Sequence, residues 1–132
     1  MKESSKKILI VDDEPNILLS LDFLFKKKGY EVFIARNGSE AKELLIQHKP
    51  NITLLDVMMP EVDGYEVCSF IRSQESLSNM GIIFLSAKSK KTDIEKGIEL
   101  GADDYMTKPF STRELTEKVK EVLLKRAYLF DS

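Results

Sequence analysis

Five short apolar segments, each followed by a stretch with helical spacing, constrain this chain more than any other feature. The segments fall at 7–11, 31–35, 52–55, 82–85 and 105–107, each bounded by turn or charged residues, as strands are. In the first intervening stretch Ile17, Leu18, Leu21, Leu24 and Phe25 share one helical face, with Pro15 suited to its first turn and Gly29 to its stop. Asn37 with Glu40 resembles a capping box ahead of Ala41, Leu44 and Leu45, and Pro50 prevents continuation. A third helix is expected over 64–74 with Val67, Phe70 and Ile71 inward. The fourth, over 91–100, is weakly amphipathic, with little beyond Ile94 and Ile98. Ser111 and Glu114 open the last helix, which carries Leu115, Val119, Val122 and Leu123 on one side.

Strict alternation of strand and helix requires parallel strands, right-handed crossovers and helices on both faces. The expected architecture is therefore α/β: a flavodoxin-like, doubly wound (βα)5 domain with a five-stranded parallel sheet in the order 2-1-3-4-5. Residues 1–132 make one domain, with a core at about 6–126 and a short flexible head and tail. A chain that is 42% hydrophobic and 32% charged is compact rather than disordered. Its net charge of −2 offers no field for nucleic acid or an anionic bilayer, so neither is expected as a direct partner. The apolar run at 8–11 is too short for a signal peptide and runs into acids, and no window approaches the roughly 18 apolar residues of a membrane span. Cys68 is the only cysteine and can form no internal disulfide, so a cytoplasmic location is expected.

In doubly wound sheets, reactive residues gather where the strand order reverses, at the carboxyl ends of the strands. Asp12 and Asp13 follow the first strand and Asp56 follows the third, its neighbour across that point. Three close carboxylates repel one another unless a cation intervenes, and Mg²⁺ accepts a site with few protein oxygens because it keeps several waters. Ser86 ends the fourth strand and Lys108 follows the fifth. Taken singly, each of these residues reads more readily as a cap, a turn or a solvated charge. Their joint placement on one edge turns the reading toward a site. His48 reads as a C-terminal cap of the second helix, Cys68 as a small core residue, and the lysines at 26–28 and 88–91 as solvated faces.

Four blocks of sequence carry a resemblance: Ile8 to Pro15 with Asp12-Asp13-Glu14; Leu54 to Pro60 with Asp63-Gly64 following; Ile83 to Ala87; and Gly101 to Phe110 with Thr107-Lys108-Pro109. In order and spacing they resemble the receiver domain of two-component response regulators. The resemblance implies a phosphorylation switch, not a turnover enzyme: the domain catalyses only its own phosphorylation and dephosphorylation. Asp56 is then the phosphoacceptor, charged from a phosphohistidine on a histidine kinase or phosphotransfer protein. Asp13, Asp56 and the Met58 backbone carbonyl would hold Mg²⁺, with Asp12 acting largely through water. Lys108 would pair with Asp56 and then with a phosphoryl oxygen, Ser86 would hydrogen-bond another, and Tyr105 would turn inward as Ser86 moves. The face of helix four, strand five and helix five would then change for an effector domain or downstream protein. A cis Lys108-Pro109 peptide belongs to the same pattern.

Some positions depart from that pattern. Gly81 stands where many relatives carry proline, which loosens the entry to the fourth strand. Ile94 stands where dimerising relatives carry a basic residue, so a homodimer on phosphorylation is left open, with Asp103, Asp104, Glu114, Lys118 and Arg126 as cross-subunit partners of individually weak pairs. Met58 has no group to orient a water and Lys88 is long and charged, so slow self-dephosphorylation is expected. A Mg²⁺-dependent phosphatase is the runner-up, but it would place its acids as Asp-x-Asp and need a substrate cap. A flavin or nucleotide carrier would need a glycine-rich phosphate cradle after the first strand, where this chain has three acids.

Overall fold

A computed structural model describes residues 6–130, so the expected flexible head at 1–5 and residues 131–132 lie outside the described residues. The elements run β1 (Lys7–Val11), α1 (Pro15–Lys27), β2 (Glu31–Ala35), α2 (Gly38–His48), β3 (Ile52–Leu55), α3 (Gly64–Ser73), β4 (Gly81–Ser86), α4 (Lys91–Glu99), β5 (Asp104–Thr107) and α5 (Thr112–Phe130). All pairings are parallel and the sheet order is β2-β1-β3-β4-β5, as the alternation predicts. Helix α5 continues past Arg126 to Phe130, beyond the expected edge of the core. No helix among the described residues is long and apolar enough to cross a membrane.

The three central strands are buried almost throughout, and their side chains alternate between two cores because successive residues of a strand point to opposite faces. Ile8, Ile10, Ile52, Leu54, Ile83 and Leu85 meet Leu18, Leu21 and Phe25 of α1 and Leu115, Val119 and Val122 of α5. Leu9, Val11, Leu55, Ile82 and Phe84 meet Ala41 and Leu45 of α2 and Val67, Cys68 and Ile71 of α3. Each such fully buried side chain contributes about 1.5–3 kcal/mol relative to exposure, so the two layers fix the register of the sheet.

Local chemistry sets the helix ends. Pro15 opens α1, and Gly29 follows it at φ 97°. Asn37 Oδ1 accepts the Glu40 N–H at 2.8 Å, but the Glu40 carboxylate accepts from the Arg36 N–H, so the expected box closes one residue early. Ser111 Oγ accepts the Glu114 N–H at 3.2 Å.

Several expectations are corrected. Ile98 of α4 is 45% exposed, and the only buried residue of that helix is Gly97. Gly81 does not loosen β4: a Cβ there would lie 2.5 Å from Val122 Cγ1, so its absence lets α5 sit directly on the strand. Asp103, Asp104, Lys118 and Arg126 are engaged within the chain, Asp103 with Arg72, Lys125 and Arg126, and Asp104 with Lys118. They are therefore not idle partners for a second subunit. The His48 ring stacks on Phe33 with centroids 4.1 Å apart, a packing role in place of a side-chain cap. Cys68, by contrast, is the buried core residue expected, and burial pushes its thiol up to about 11.

Candidate functional site

Strand register assembles the carboxylates. Val11 pairs with Leu55, so the residues that leave β1 and β3 emerge side by side, and the Asp56 N–H donates to the Val11 carbonyl at 3.0 Å. Ser86 ends β4, and its carbonyl accepts the Lys108 N–H at 2.8 Å as the chain leaves β5. The Lys108-Pro109 peptide is cis. The loop after Asp56 is folded back tightly: the Gly64 N–H donates to the Val57 carbonyl at 3.0 Å, and a Cβ on Gly64 would collide with the Asp56 carbonyl oxygen. Only glycine allows α3 to begin so close to the acid.

Asp12 and Asp56 are 2% and 4% exposed, whereas Asp13 faces solvent. One carboxylate oxygen from each lies within 4.8 Å of the others. Lys108 Nζ lies 2.8 Å from Asp12 Oδ2, 2.7 Å from Glu14 Oε1 and 3.5 Å from Asp56 Oδ2. The expected Lys108 to Asp56 pair is therefore the longest of three, and Lys108 rests chiefly on Asp12 and Glu14. Glu14 was readable only as the third acid of the run after β1. Burial first, and the neighbouring Asp12 charge second, push the Asp56 carboxyl up to about 6 against the opposing pull of the Lys108 charge and the Met58 N–H. Burial also disfavours the Lys108 ammonium, but hydrogen bonds to Asp12 and Glu14 and the Asp56 charge outweigh it and raise its pKa. The lysine stays charged; the acid beside it does not ionise easily.

These groups open into a hollow of about 240 Å³ lined by Asp13, Glu14, Asp56, Met58, Ala87 and Lys108. The donor set suits a hard divalent cation: the ligand atoms are carboxylate oxygens, and Asp13 has no cationic partner among the described residues. The Asp56 pKa is raised first by burial and then by the Asp12 charge, and a cation held between the two acids would oppose both effects.

Ser86 is fully buried, and its Oγ accepts the Lys88 N–H at 3.2 Å. Tyr105 is 8% exposed and lies inward, its ring 5.6 Å from that of Phe84. Its hydroxyl donates to the Lys88 carbonyl at 2.7 Å, so Ser86 and Tyr105 hold opposite groups of one residue.

The chain matches the family "Response regulator receiver domain" over residues 8–120. It is similar to a CheY-like response regulator receiver domain from Methanospirillum hungatei JF-1, at 31% identity over 95% of this chain and 98% of that one, with a TM-score of 0.89. The signal receiver domain of a signal transduction histidine kinase from Syntrophus aciditrophicus is 36% identical over 92% of each chain, with a TM-score of 0.84. The receiver domain of Francisella response regulator 1452 is 31% identical over 92% of this chain and 98% of that one, with a TM-score of 0.85.

Proposed function

Since the chain belongs to the receiver domains of two-component response regulators, we propose that Asp56 is its phosphoacceptor and that the domain is a switch, not a turnover enzyme. The observation that carries this reading is the convergence of Asp12, Asp13, Asp56 and Lys108 on one small open hollow at the strand ends. An Asp56 carboxylate oxygen attacks the phosphorus of a phosphohistidine on a histidine kinase or phosphotransfer protein. A P–O bond forms, the P–N bond breaks, and the imidazole leaves with the electron pair. The product is an acyl phosphate, which water later splits to inorganic phosphate and the free carboxylate.

Little covalent assistance is needed, because such transfers depend on alignment and on neutralising the equatorial oxygens. Lys108, 3.5 Å from Asp56, needs only a short shift from Glu14 to reach a phosphoryl oxygen. The Ser86 hydroxyl, which now accepts from Lys88, donates to a second phosphoryl oxygen. Asp13, Asp56 and the Met58 carbonyl, with Asp12 through water, would hold Mg²⁺, which supplies further positive charge against the same oxygens. Transfer to Asp56 favours the inward Tyr105, and the face of α4, β5 and α5 presents the result to an effector domain or downstream protein in the cytoplasm. A homodimer through that face would rest on apolar contact at Ile94 and Ile98 rather than on the ion pairs already satisfied within the chain.

The test is intact mass after incubation with acetyl phosphate, with and without Mg²⁺, beside an Asp56→Asn variant. One phosphoryl adduct that requires both Mg²⁺ and Asp56 is the expected result. An adduct that survives Asp56→Asn would place the acceptor elsewhere and overturn the assignment.

A further inference from the structure

Tyr65 is a buried phenol that the proposed reaction leaves unused. It is 7% exposed in the first turn of α3, and its hydroxyl donates to the Asp93 carbonyl in the first turn of α4 at 3.0 Å. Its ring lies 5.5 Å from Phe84, and the Lys96 ammonium sits 4.5 Å from its centroid, one turn along α4. The Tyr105 hydroxyl holds the Lys88 carbonyl, and the two phenol groups also interact with each other. Two tyrosines from different elements therefore grip the two ends of the segment that leads into α4.

That grip counts because α4 has little else to hold it. Its nine residues bury only Gly97, with Ile94 partly buried and Ile98 exposed. Gly97 lies so close to the same aromatic cluster that a Cβ would stand 3.0 Å from Phe84 and 3.1 Å from Tyr105. The other end of the Tyr65 connection reaches the acid: Gly64, its chain neighbour, donates to the Val57 carbonyl and abuts the Asp56 carbonyl. A shift of the Asp56 loop is thus passed through Gly64 to Tyr65 and on to Asp93. This route starts from a different side of the acid than the one through Ser86 and Lys88, and the two meet at the Lys88–Asp93 ion pair, 3.8 Å long.

We propose that Tyr65 is a positioning residue that couples the Asp56 loop to α4, its hydroxyl bond to the Asp93 carbonyl favouring the arrangement in which Tyr105 lies inward. The inference rests on the switch function proposed above, which assigns the inward Tyr105 to the phosphorylated form. Linkage then makes the effect reciprocal: a bond present in only one arrangement raises affinity for whatever favours that arrangement.

Tyr65→Phe keeps the ring and removes only the hydroxyl. Beryllofluoride with Mg²⁺ serves as the phosphoryl mimic, its affinity measured by titration calorimetry, and amide hydrogen exchange is read over residues 88–97. Loss of one such bond is expected to weaken the mimic roughly three- to ten-fold and to speed exchange in that segment. Tyr105→Phe, measured alongside, is expected to weaken the mimic as well, and the double variant to show coupling between the hydroxyls. A Tyr65→Phe protein that binds the mimic within two-fold of wild type overturns the proposal, even where its unfolding midpoint drops, because a merely structural bond lowers stability without touching the mimic. A wild-type protein that neither binds the mimic nor takes a phosphoryl adduct overturns the parent reading instead.

Discussion

Asp103→Asn is the perturbation whose cost the structure specifies best. The Asp103 side chain is 1% exposed at the start of β5, at the end of the sheet opposite the acid cluster. It accepts the Ile82 N–H at 2.9 Å, Arg126 Nη2 at 2.8 Å and Arg72 Nη2 at 3.3 Å, while Lys125, half exposed, adds a weaker contact at 3.2 Å. Arg72 in turn donates to the carbonyls of Gly101, Ser78 and Met80, so one buried cluster pins α3, the entries to β4 and β5, and α5. Removing the negative partner leaves two buried guanidinium groups facing each other, a loss of about 3–5 kcal/mol. For a domain this size that corresponds to a fall in Tm of about 10–20 °C. Burial alone would raise the Asp103 pKa, but the Arg126, Ile82 and Lys125 contacts win and lower it. The carboxylate therefore stabilises the fold above its unfolded pKa, and this contribution is lost as pH falls through the folded value. Urea unfolding of wild type and variant at pH 7 should differ by the stated amount with equal slopes, and the gap should shrink below about pH 4. A variant within 1 kcal/mol of wild type at pH 7, or a gap that persists in acid, would refute the reasoning.

Three further outcomes are expected. Gly64→Ala must push α3 off the Asp56 carbonyl, so acetyl phosphate labelling should slow markedly in the folded variant; wild-type labelling would show that the close approach is dispensable. In chelator, Asp56→Asn should be more stable than wild type above pH 6 by about 3 kcal/mol, with the difference vanishing below pH 4, because a raised folded pKa means that ionisation opposes folding; equal urea midpoints at pH 7.5 would contradict this. Met58 is 52% exposed beside the acid, and Met58→Asn should shorten the lifetime of the aspartyl phosphate several-fold by positioning a water; an unchanged decay by intact mass would count against it.

The three central strands were legible because their apolar runs are buried on both faces, leaving no ambiguity between core and solvent sides. Asp12, Asp13, Asp56, Ser86 and Lys108 were legible because each stands at the end of such a run, and strand register alone brings them together. What could not be read was which partner each group prefers. Nothing in the spacing told Lys108 to rest on Asp12 and Glu14 rather than Asp56, since that depends on side-chain reach of a few tenths of an ångström. Helix α4 was placed correctly, but its inward face was not legible, because its buried residue is a glycine, which carries no hydropathy signal, while Ile98, which carries a strong one, faces out. Asp103 was likewise taken as a surface charge, because its companions Arg72 and Arg126 are 31 and 23 residues away.

The two buried acid clusters show how one sheet separates stability from function. At the entry to β5, Asp103 meets two arginines, a lysine and a backbone N–H, and its pKa falls. At the exits of β1 and β3, Asp12 and Asp56 share one lysine with Glu14, and the Asp56 pKa rises. Burial opposes charge in both places, so the opposite signs come from the neighbours: Asp103 gains hydrogen bonds from Arg126, Lys125 and the Ile82 N–H, whereas Asp56 faces the Asp12 charge and one shared lysine. A cluster completed from within the chain gains nothing from a ligand, whereas one left short of positive charge is stabilised by a cation from outside. On the function proposed above, each oxygen that a phosphoryl group adds at Asp56 would deepen that shortage and draw Lys108 and the Ser86 hydroxyl inward. Reaction at that one side chain would thereby displace backbone as distant as α4, whose only fully buried residue is Gly97.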